Sequence, residues 1–444
     1  MLRFDSEGIT VALSTAVLTC LATVSAAAQS FSVLHHFATN EAWNTHSRLV
    51  LSGSTIYGAA DGGGPENKGS LFRFNTDGSG FLVLTNGNTN VSYFGIGLVL
   101  TNDLLYGISG GGGDFGQGTV YSINTNGAAL RVIKSFAGPD GAFPQGHLVL
   151  SDRTLYGTTL QGGSNNLGTL FSINSDGTDF TTLKHFDSAT RYPCTGLVRD
   201  GDMLFGASAG DNNVNCGTIY RIQTNGAGFQ ILYTFSGFDG SFPYGGLVLS
   251  GSTIYGTTEL AGYSYGGNVF RINTDGSGFS VIKDFADTRY PNGDLVISGD
   301  TLYGTTEAGG PGHCGTVFRL NTDGSGYALL KGFQGLDGNW SSGGLVLSGD
   351  MLYGATRQGG TYSNGVLYAV CVQSPTLSIS LQPDSNLQIS FDSLGGKTYS
   401  VLYAPEAAGP WNVLTNVTAQ ITGLLQLTVP TASGVPSRFY RVAY

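Results

Sequence analysis

The sequence of 444 residues predicts an all-β fold, a seven-bladed β-propeller followed by a small β-sandwich domain. Three observations support this prediction. The chain holds 70 Gly and only 11% charged residues, which is typical of short strands joined by tight turns. A unit of about 50 residues occurs seven times, and each copy contains four short apolar segments. Residues 376–444 then change to a period-two alternation.

Residues 1–28 are typical of a signal peptide. Arg3 supplies a basic start, residues 9–24 are largely apolar, and small residues precede a cleavage site near Gln29. Two early acidic residues are unusual in such a start, so a retained anchor is the alternative. No other apolar run reaches the ~20 residues that a membrane helix needs, so we expect no membrane span after cleavage. We therefore expect a secreted or cell-surface protein.

An aromatic residue in a Leu/Ile-Tyr/Phe-Gly motif marks each repeat, at intervals of 49, 50, 49, 50, 48 and 50 residues. The seven aromatics are Tyr57, Tyr106, Tyr156, Phe205, Tyr255, Tyr303 and Tyr353. The strand segments carry apolar residues on both faces, so both faces of each sheet must be covered. Four-stranded sheets packed face to face at this period are typical of a propeller, whereas a β-helix, the alternative, repeats in shorter units.

Within the fifth repeat, the pattern predicts strands at 247–249, 253–257, 268–273 and 279–285. Ser-Gly-Ser separates the first two strands, and Asp275-Gly276 separates the last two. Asp-Gly accepts the positive φ angles of a tight hairpin. Each repeat is therefore predicted to be an antiparallel four-stranded meander.

The seventh repeat, which starts at Gly343, lacks a fourth strand. Residues 31–37 match residues 279–285 of the fifth repeat, so the segment after the signal peptide is predicted to complete the last blade. Such an exchange removes open sheet edges and closes a ring. The predicted propeller covers residues 29–372.

The repeat reads Leu-Val-Leu-Ser-Gly-x-Thr-Leu/Ile-Tyr-Gly-Thr-Thr, then Gly-Thr-Val-Phe-Arg-Ile-Asn-Thr-Asp-Gly-Ser-Gly-Phe. Over residues 31–372 it resembles the GloVer-type tandem repeat of exported bacterial proteins. The resemblance implies a surface or secreted protein and implies no particular reaction. Kelch propellers share the period, but their aromatic pattern is missing here.

Residues 373–375 are predicted to be a linker, and residues 376–444 a small sandwich of six alternating segments. The spacing Tyr-Ser-Val-x-Tyr, then Trp, then Phe-Tyr-Arg-Val is similar to small fibronectin-like modules at the ends of exported bacterial proteins. This module serves either as a stabilising end-cap or as a unit for sorting or attachment.

Composition and motifs exclude several functions. A net charge of −10 without basic clusters opposes nucleic-acid binding. We find no HExxH, no Gly-x-Ser-x-Gly and no phosphate-binding loop, so we predict no metal site and no cofactor. Cys194 and Cys216 are predicted to share one loop face, where a disulfide can form if the Cα atoms come close enough.

The best site signal lies four residues after each motif aromatic, where the second strand enters the variable loops. These residues are Asp61, Gly110, Leu160, Ala209, Glu259, Glu307 and Arg357. The four charged ones belong to blades five, six, seven and one, which are neighbours in a closed ring. We name Asp61, Glu259, Glu307 and Arg357 the polar arc and predict that it binds a ligand. Solvated charges at loop starts are the alternative.

Two functional hypotheses follow. The first is a non-enzymatic binding or surface-structural protein, monomeric, whose ligand is a glycan or another surface protein. The alternative is a carbohydrate-active enzyme, a glycoside hydrolase or polysaccharide lyase, in which Glu259, Glu307 and Asp61 act as the carboxylates. Aromatic residues in the blade-linking loops, such as Phe242 and Trp340, either stack on sugars or fill gaps between blades.

Overall fold

The computed structural model describes residues 31–94, 96–211, 216–260, 266–286 and 288–372. Outside these ranges it describes strands at 3–5, 8–14, 24–25, 376–381, 386–393, 398–404, 412–418, 423–430 and 437–443. The chain divides into two compact units, residues 31–370 and residues 1–30 with 371–444. Within the described residues no helix is long and apolar enough to cross a bilayer.

The unit of residues 31–370 is a seven-bladed β-propeller, and each blade is a four-stranded antiparallel sheet. Blade one contains the strands Val50–Ser52, Thr55–Ala60, Ser70–Asn75 and Leu82–Asn86. Blade two contains Ile96–Thr101, Leu104–Ser109, Thr119–Asn124 and Arg131–Ser135. Blade three contains Ala142–Ser151, Thr154–Gln161, Thr169–Asn174 and Thr181–His185. Blades four and five contain Val198–Asp200, Met203–Ser208, Thr218–Gln223, Gln230–Thr234; and Val248–Ser250, Thr253–Thr258, Asn268–Asn273, Ser280–Asp284. Blades six and seven contain Val296–Ser298, Thr301–Thr306, Thr316–Asn321, Ala328–Gly332; and Val346–Ser348, Met351–Ala355, Val366–Cys371, Phe31–His36. A short pair, Thr288–Arg289 with Ala308–Gly309, lies beside blade six.

The Tyr-Gly of each repeat has a packing explanation. A Cβ on Gly256 would lie 2.5 Å from Cζ of Phe270, so only glycine lets the third-strand ring lie across the second strand. The preceding Tyr255 is 6% exposed and packs with Leu302 and Phe318 of the next blade. The motif therefore fills the interior between blades, which explains why the strands are apolar on both faces.

The Asp-Gly turns form the predicted tight hairpins. Gly276 has a φ of 91°, and Asp275 Oδ1 accepts hydrogen bonds from the backbone N and the hydroxyl of Ser277 at 2.8 and 2.7 Å. These bonds lower the pKa of Asp275, because they stabilise the ionised carboxylate. Backbone geometry accounts for the Asp-Gly or Asn-Gly pair at this turn. This agrees with the recurrence of the pair in every complete repeat.

The leading segment closes the ring. Phe31–His36 pairs antiparallel with Val366–Cys371, in the register Val366↔His36 to Val370↔Phe31. Phe37 is fully buried, and its ring meets that of Phe72 of blade one edge to face at 5.3 Å. This is the position in which the sequence places the segment, and it joins the two ends of the propeller through backbone hydrogen bonds and a shared core.

The second unit contains two antiparallel sheets. One has the strand order 3–5, 8–14, 437–443, 398–404, 412–418, and the other has the order 24–25, 376–381, 386–393, 423–430. The six segments expected after residue 375 thus all form strands, whereas the likeness to fibronectin-like modules stays a prediction. The predicted linker 373–375 lies outside the described residues. Strands at 3–5, 8–14 and 24–25 fall within the predicted signal peptide, whose cleavage also stays a prediction.

Candidate functional site

A cavity of about 280 Å³ is lined by residues of all seven blades. It therefore lies on the axis of the propeller. We name it the axial cavity. Its wall is formed by side chains three residues before the leucine that leads into each first strand. In the described residues these are His46, Gln145, Cys194, Tyr244, Asn292 and Ser342. The cavity opens towards the variable loops, the end of the ring where the polar arc was predicted.

Three charged or titratable side chains cross the axis at the bottom of the axial cavity, and we name them the floor. They are Arg48, His147 and Asp294, from blades one, three and six. Arg48 Nη1 lies 3.5 Å from His147 Nε2, and His147 Nδ1 lies 3.4 Å from Asp294 Oδ2. Asp294 Oδ1 accepts the backbone N–H of Gly246 at 2.7 Å. The floor is therefore a connected network across the ring.

The contacts within the floor lower the pKa of Asp294. Burial by itself raises the pKa of this carboxyl, but the hydrogen bond from His147, the charges of His147 and Arg48, and the Gly246 amide outweigh it. The result is a pKa lowered to about 2. Asp294 is consequently ionised at any neutral pH and holds its partners by charge.

Glycine in the other blades leaves room for the floor. The residue before the first-strand leucine is Arg48, Gly97, His147, Gly196, Gly246, Asp294 or Gly344, in blade order. A Cβ on Gly196 would lie 1.9 Å from His147 Nδ1, and one on Gly246 would lie 2.3 Å from Asp294 Oδ1. This set was not predicted from the sequence, although an alignment of the seven repeats shows it at this position.

Replacement of Gly196 by alanine is expected to displace His147 and to break both of its floor contacts. Overpacking of this kind lowers the free energy of unfolding by about 1–3 kcal/mol. We expect a loss at the upper end of this range because the closed propeller cannot move away from the added methyl group. Gly344→Ala is the matched control, since its Cβ would approach Arg48 only to 3.1 Å. Urea unfolding of both variants measures the difference. Equal stability of the two variants would contradict this description of the floor.

The structure brings the predicted polar arc together. Arg357 Nη1 donates to Glu307 Oε1 at 3.1 Å, and its Nε donates to Asn44 Oδ1 at 2.7 Å. Asn44 Nδ2 in turn donates to Asp61 Oδ2 at 3.3 Å. Residues of blades six, seven and one are therefore joined in one hydrogen-bonded chain, of which Glu307 and Arg357 line the axial cavity. Asn44 was not predicted, although it differs from the aromatic residues that the other six blades carry at the same repeat position.

Glu259 lies at the blade-five end of the polar arc. Burial raises the pKa of its carboxyl, the neighbouring charge of Glu307 raises it further, and a hydrogen bond from Asn292 together with the charge of Arg357 opposes both. Burial likewise raises the pKa of Tyr244 to about 12, with smaller contributions from Cys194 and Glu259. Glu259 thus lies beside the cavity wall, where the charges of Glu307 and Arg357 both act on its carboxyl.

A ring of seven residues with positive φ surrounds the mouth, and we name it the mouth ring. Its members are Asn44 (57°), Tyr93 (61°), Phe143 (51°), Tyr192 (61°), Phe242 (55°), Tyr290 (61°) and Trp340 (59°). This left-handed conformation is unfavourable for bulky side chains, and such residues concentrate at functional sites. Six of the seven are aromatic. The sequence showed the aromatics in the blade-linking loops, but their backbone conformation becomes visible only in the structure.

The mouth ring positions the polar arc. The carbonyls of Phe242, Tyr290 and Trp340 accept the backbone N–H groups of Glu259, Glu307 and Arg357 at 2.9, 3.0 and 3.0 Å. In each of these three blades the strained residue therefore anchors the charged residue beside it.

The aromatic side chains at the mouth remain partly open to solvent. Trp340 is 40% exposed, and its ring lies 5.9 Å from Arg357 Cζ. The rings of Phe242 and Tyr244 stack with an interplanar angle of 7° and centroids 5.7 Å apart. Flat apolar faces thus stand beside hydrogen-bonding groups, an arrangement that accepts an amphipathic ligand.

Cys194 and Cys216 are free thiols, so the disulfide considered from the sequence is not formed. Cys194 is buried in the cavity wall, where its Sγ donates to the carbonyl of Pro243 at 3.6 Å, and burial raises the pKa of its thiol. Cys216 packs in the core between blades four and five with Phe235. The two cysteines share an end of the propeller but belong to different packing environments.

In the part of the chain that the structure describes, no group of three or more His, Cys, Asp or Glu side chains is arranged to hold a metal ion. The groups present at the mouth are carboxylates, a guanidinium, amides, hydroxyls and aromatic faces. These groups can hydrogen-bond a polyhydroxylated ligand.

Solved structures with a similar fold include two of oligogalacturonate lyases and one of a puromycin hydrolase. An oligogalacturonate lyase from Vibrio parahaemolyticus has a TM-score of 0.55 and 10% identity, with 86% of this chain and 100% of that chain covered. An oligogalacturonate lyase in complex with manganese has a TM-score of 0.55 and 10% identity, with 83% and 98% covered. A puromycin hydrolase has a TM-score of 0.53 and 12% identity, with 81% and 62% covered. At these identities the likeness shows the fold alone.

No curated protein matches the sequence of this chain. The family described as the Gloeobacter/Verrucomicrobia repeat matches residues 81–268 and residues 243–404. These two matches overlap and span most of the propeller as well as the start of the second unit. The chain belongs to the Gloeobacter/Verrucomicrobia repeat family.

Proposed function

We propose that the protein binds a glycan at the mouth of the axial cavity without altering it chemically. The observation that carries this proposal is the junction of the polar arc with the mouth ring. Charged hydrogen-bonding groups converge beside partly exposed aromatic faces, in a cavity of about 280 Å³. Sugar rings present hydroxyls at their edges and apolar C–H faces, so they match both kinds of group.

The predicted signal peptide supports a location outside the cytoplasm, secreted or at the cell surface, where glycans are abundant. The resemblance of the repeat to exported bacterial proteins supports the same location. A surface protein is the other partner considered from the sequence. The small, recessed and polar cavity favours a short glycan segment over a protein, because specific protein interfaces are large surfaces of ~800 Å² per partner.

A glycan array probed with the full chain tests the proposal, and Glu307→Gln is the informative variant. We expect binding of a defined glycan set by the wild type and a roughly tenfold loss in the variant, since a charged hydrogen bond weakens to a neutral one. Asp323→Asn is the matched control, because it removes the same charge from an exposed hairpin turn. Absence of binding to every glycan, or equal binding by both variants, would contradict the proposal.

A carbohydrate-active enzyme is the second candidate, and one observation favours it. Glu259 has a raised pKa beside Glu307, whose carboxylate is held by Arg357. A carboxyl with a raised pKa beside a second carboxylate is the arrangement of an acid and a base in glycoside cleavage. Incubation of bound glycans with the protein, followed by analysis of chain length, separates the candidates. Products that disappear in both Glu259→Gln and Glu307→Gln would establish the enzyme.

A further inference from the structure

Two polar atoms of the cavity wall are buried and have no hydrogen-bond partner among the described residues. They are the hydroxyl of Ser342 and Oδ1 of Asn292. Ser342 is only 6% exposed, and both residues line the axial cavity from the adjacent blades six and seven. Leaving a buried polar group unpaired costs roughly 1–3 kcal/mol, so such groups commonly mark the place of a ligand or ordered water.

The orientation of Asn292 identifies what its free atom requires. Its side chain forms a hydrogen bond with Glu259 that stabilises the ionised carboxylate, so the amide nitrogen is the donor. The unpaired Oδ1 is consequently an acceptor. The hydroxyl of Ser342 can accept as well. This part of the wall therefore offers acceptors and calls for a ligand that brings donors.

The charges around this wall favour a cation. Asp294 is matched by Arg48 and His147 in the floor, and Glu307 is matched by Arg357. Glu259 forms no salt bridge with any described residue, although the carboxylate of Glu307 lies near it. A positive charge bound here relieves the repulsion between the two carboxylates and satisfies the free acceptors.

We propose that the part of the wall formed by Glu307, Asn292 and Ser342, together with the adjoining Glu259, binds a protonated primary amine. An ammonium group carries three hydrogen-bond donors and one positive charge, which matches an acceptor-rich wall beside a carboxylate that forms no salt bridge with a described residue. This inference rests on the proposed glycan function, and together they make the ligand an unacetylated amino sugar. Its ring face packs against the aromatic groups of the mouth, and its amine points to the wall.

Calorimetry with the full chain compares β-linked glucosamine oligosaccharides with N-acetylglucosamine oligosaccharides of equal length. We expect at least tenfold tighter binding of the free amine, since acetylation removes both the charge and two of the three donors. Glu259→Gln is expected to lose most of this preference, and Ser342→Ala a smaller part. Asp323→Asn is expected to bind as the wild type does.

The variant Glu259→Gln is suited to this test because it removes a like-charge repulsion and keeps the side-chain shape. We expect its thermal unfolding midpoint to equal or exceed that of the wild type, so a loss of binding cannot be ascribed to unfolding. Equal affinity for free and acetylated amines, or an unchanged preference in Glu259→Gln, would overturn the amine inference and leave glycan binding intact. Absence of binding to any glycan would overturn the proposed function itself.

Discussion

Phe37→Ala is expected to destabilise the propeller by about 3–5 kcal/mol, although it lies near the start of the described chain. Phe37 is fully buried at the end of the strand that completes blade seven, and it packs against Phe72 of blade one. Removal of this ring leaves a cavity at the joint that closes the propeller. Because all blades share one ring, we expect the loss to appear in the global unfolding transition.

Phe285→Ala provides the matched comparison for this prediction. Phe285 occupies the same repeat position in blade five, is 1% exposed and meets the ring of Phe318 at 5.2 Å. We expect equal losses in the two variants, and almost no loss in Phe238→Ala, whose ring is 80% exposed. Chemical denaturation measures all three. A neutral Phe37→Ala beside a destabilised Phe285→Ala would show that residues 31–37 do not complete the ring.

Asp294→Ala is expected to cost about 3–5 kcal/mol, because it leaves His147 and the Gly246 amide without their shared acceptor and Arg48 without a compensating negative charge. Asp294→Asn keeps an acceptor oxygen and the side-chain volume, so we expect a smaller loss. The floor lies on the axis, where the first strands of all blades meet. Loss of the network is therefore expected to loosen the contacts among blades one, three and six together.

The pH dependence gives this prediction an independent readout. The pKa of Asp294 is lowered to about 2 in the folded protein from 3.8. A depressed carboxyl stabilises the folded state fully above the unfolded pKa and loses that effect as the pH falls towards the folded pKa. We expect the wild type to lose about 2 kcal/mol between pH 5 and pH 2 through this group. Asp294→Ala should lack this component, and an unchanged acid profile would contradict the assignment.

The polar arc could be predicted from the sequence because its members occupy one position of the repeat. Four residues after the motif aromatic is the same point of every blade, and consecutive blades are neighbours in a ring. Glu259, Glu307 and Arg357 therefore had to be adjacent once the ring closed. The ends of the strands were predicted less accurately, because the apolar segments are longer than the segments that form backbone hydrogen bonds. Residues 279–285 were expected to be a strand, and Ser280–Asp284 form it.

The floor and the mouth ring depend on contacts that no local pattern encodes. Arg48 and His147 are 99 residues apart in sequence and meet only because blades one and three approach the same axis. The positive φ of Trp340 arises where the chain turns from a blade-linking loop towards that axis, and surrounding hydrogen bonds hold the strain. The cysteines illustrate the same limit, since sharing an end of the ring does not determine distance from its axis.

The amino-acid sequence by itself determined the all-β class, the seven blades, the closing segment and the neighbours in the polar arc. Each of these follows from local periodicity, turn chemistry and the order of repeats along the chain. Only the tertiary structure decided which side chains reach the axis, which of them pair there and which polar atoms remain unpaired. Those properties depend on the distance of each residue from the centre of the ring, which is set by the packing of all seven blades at once.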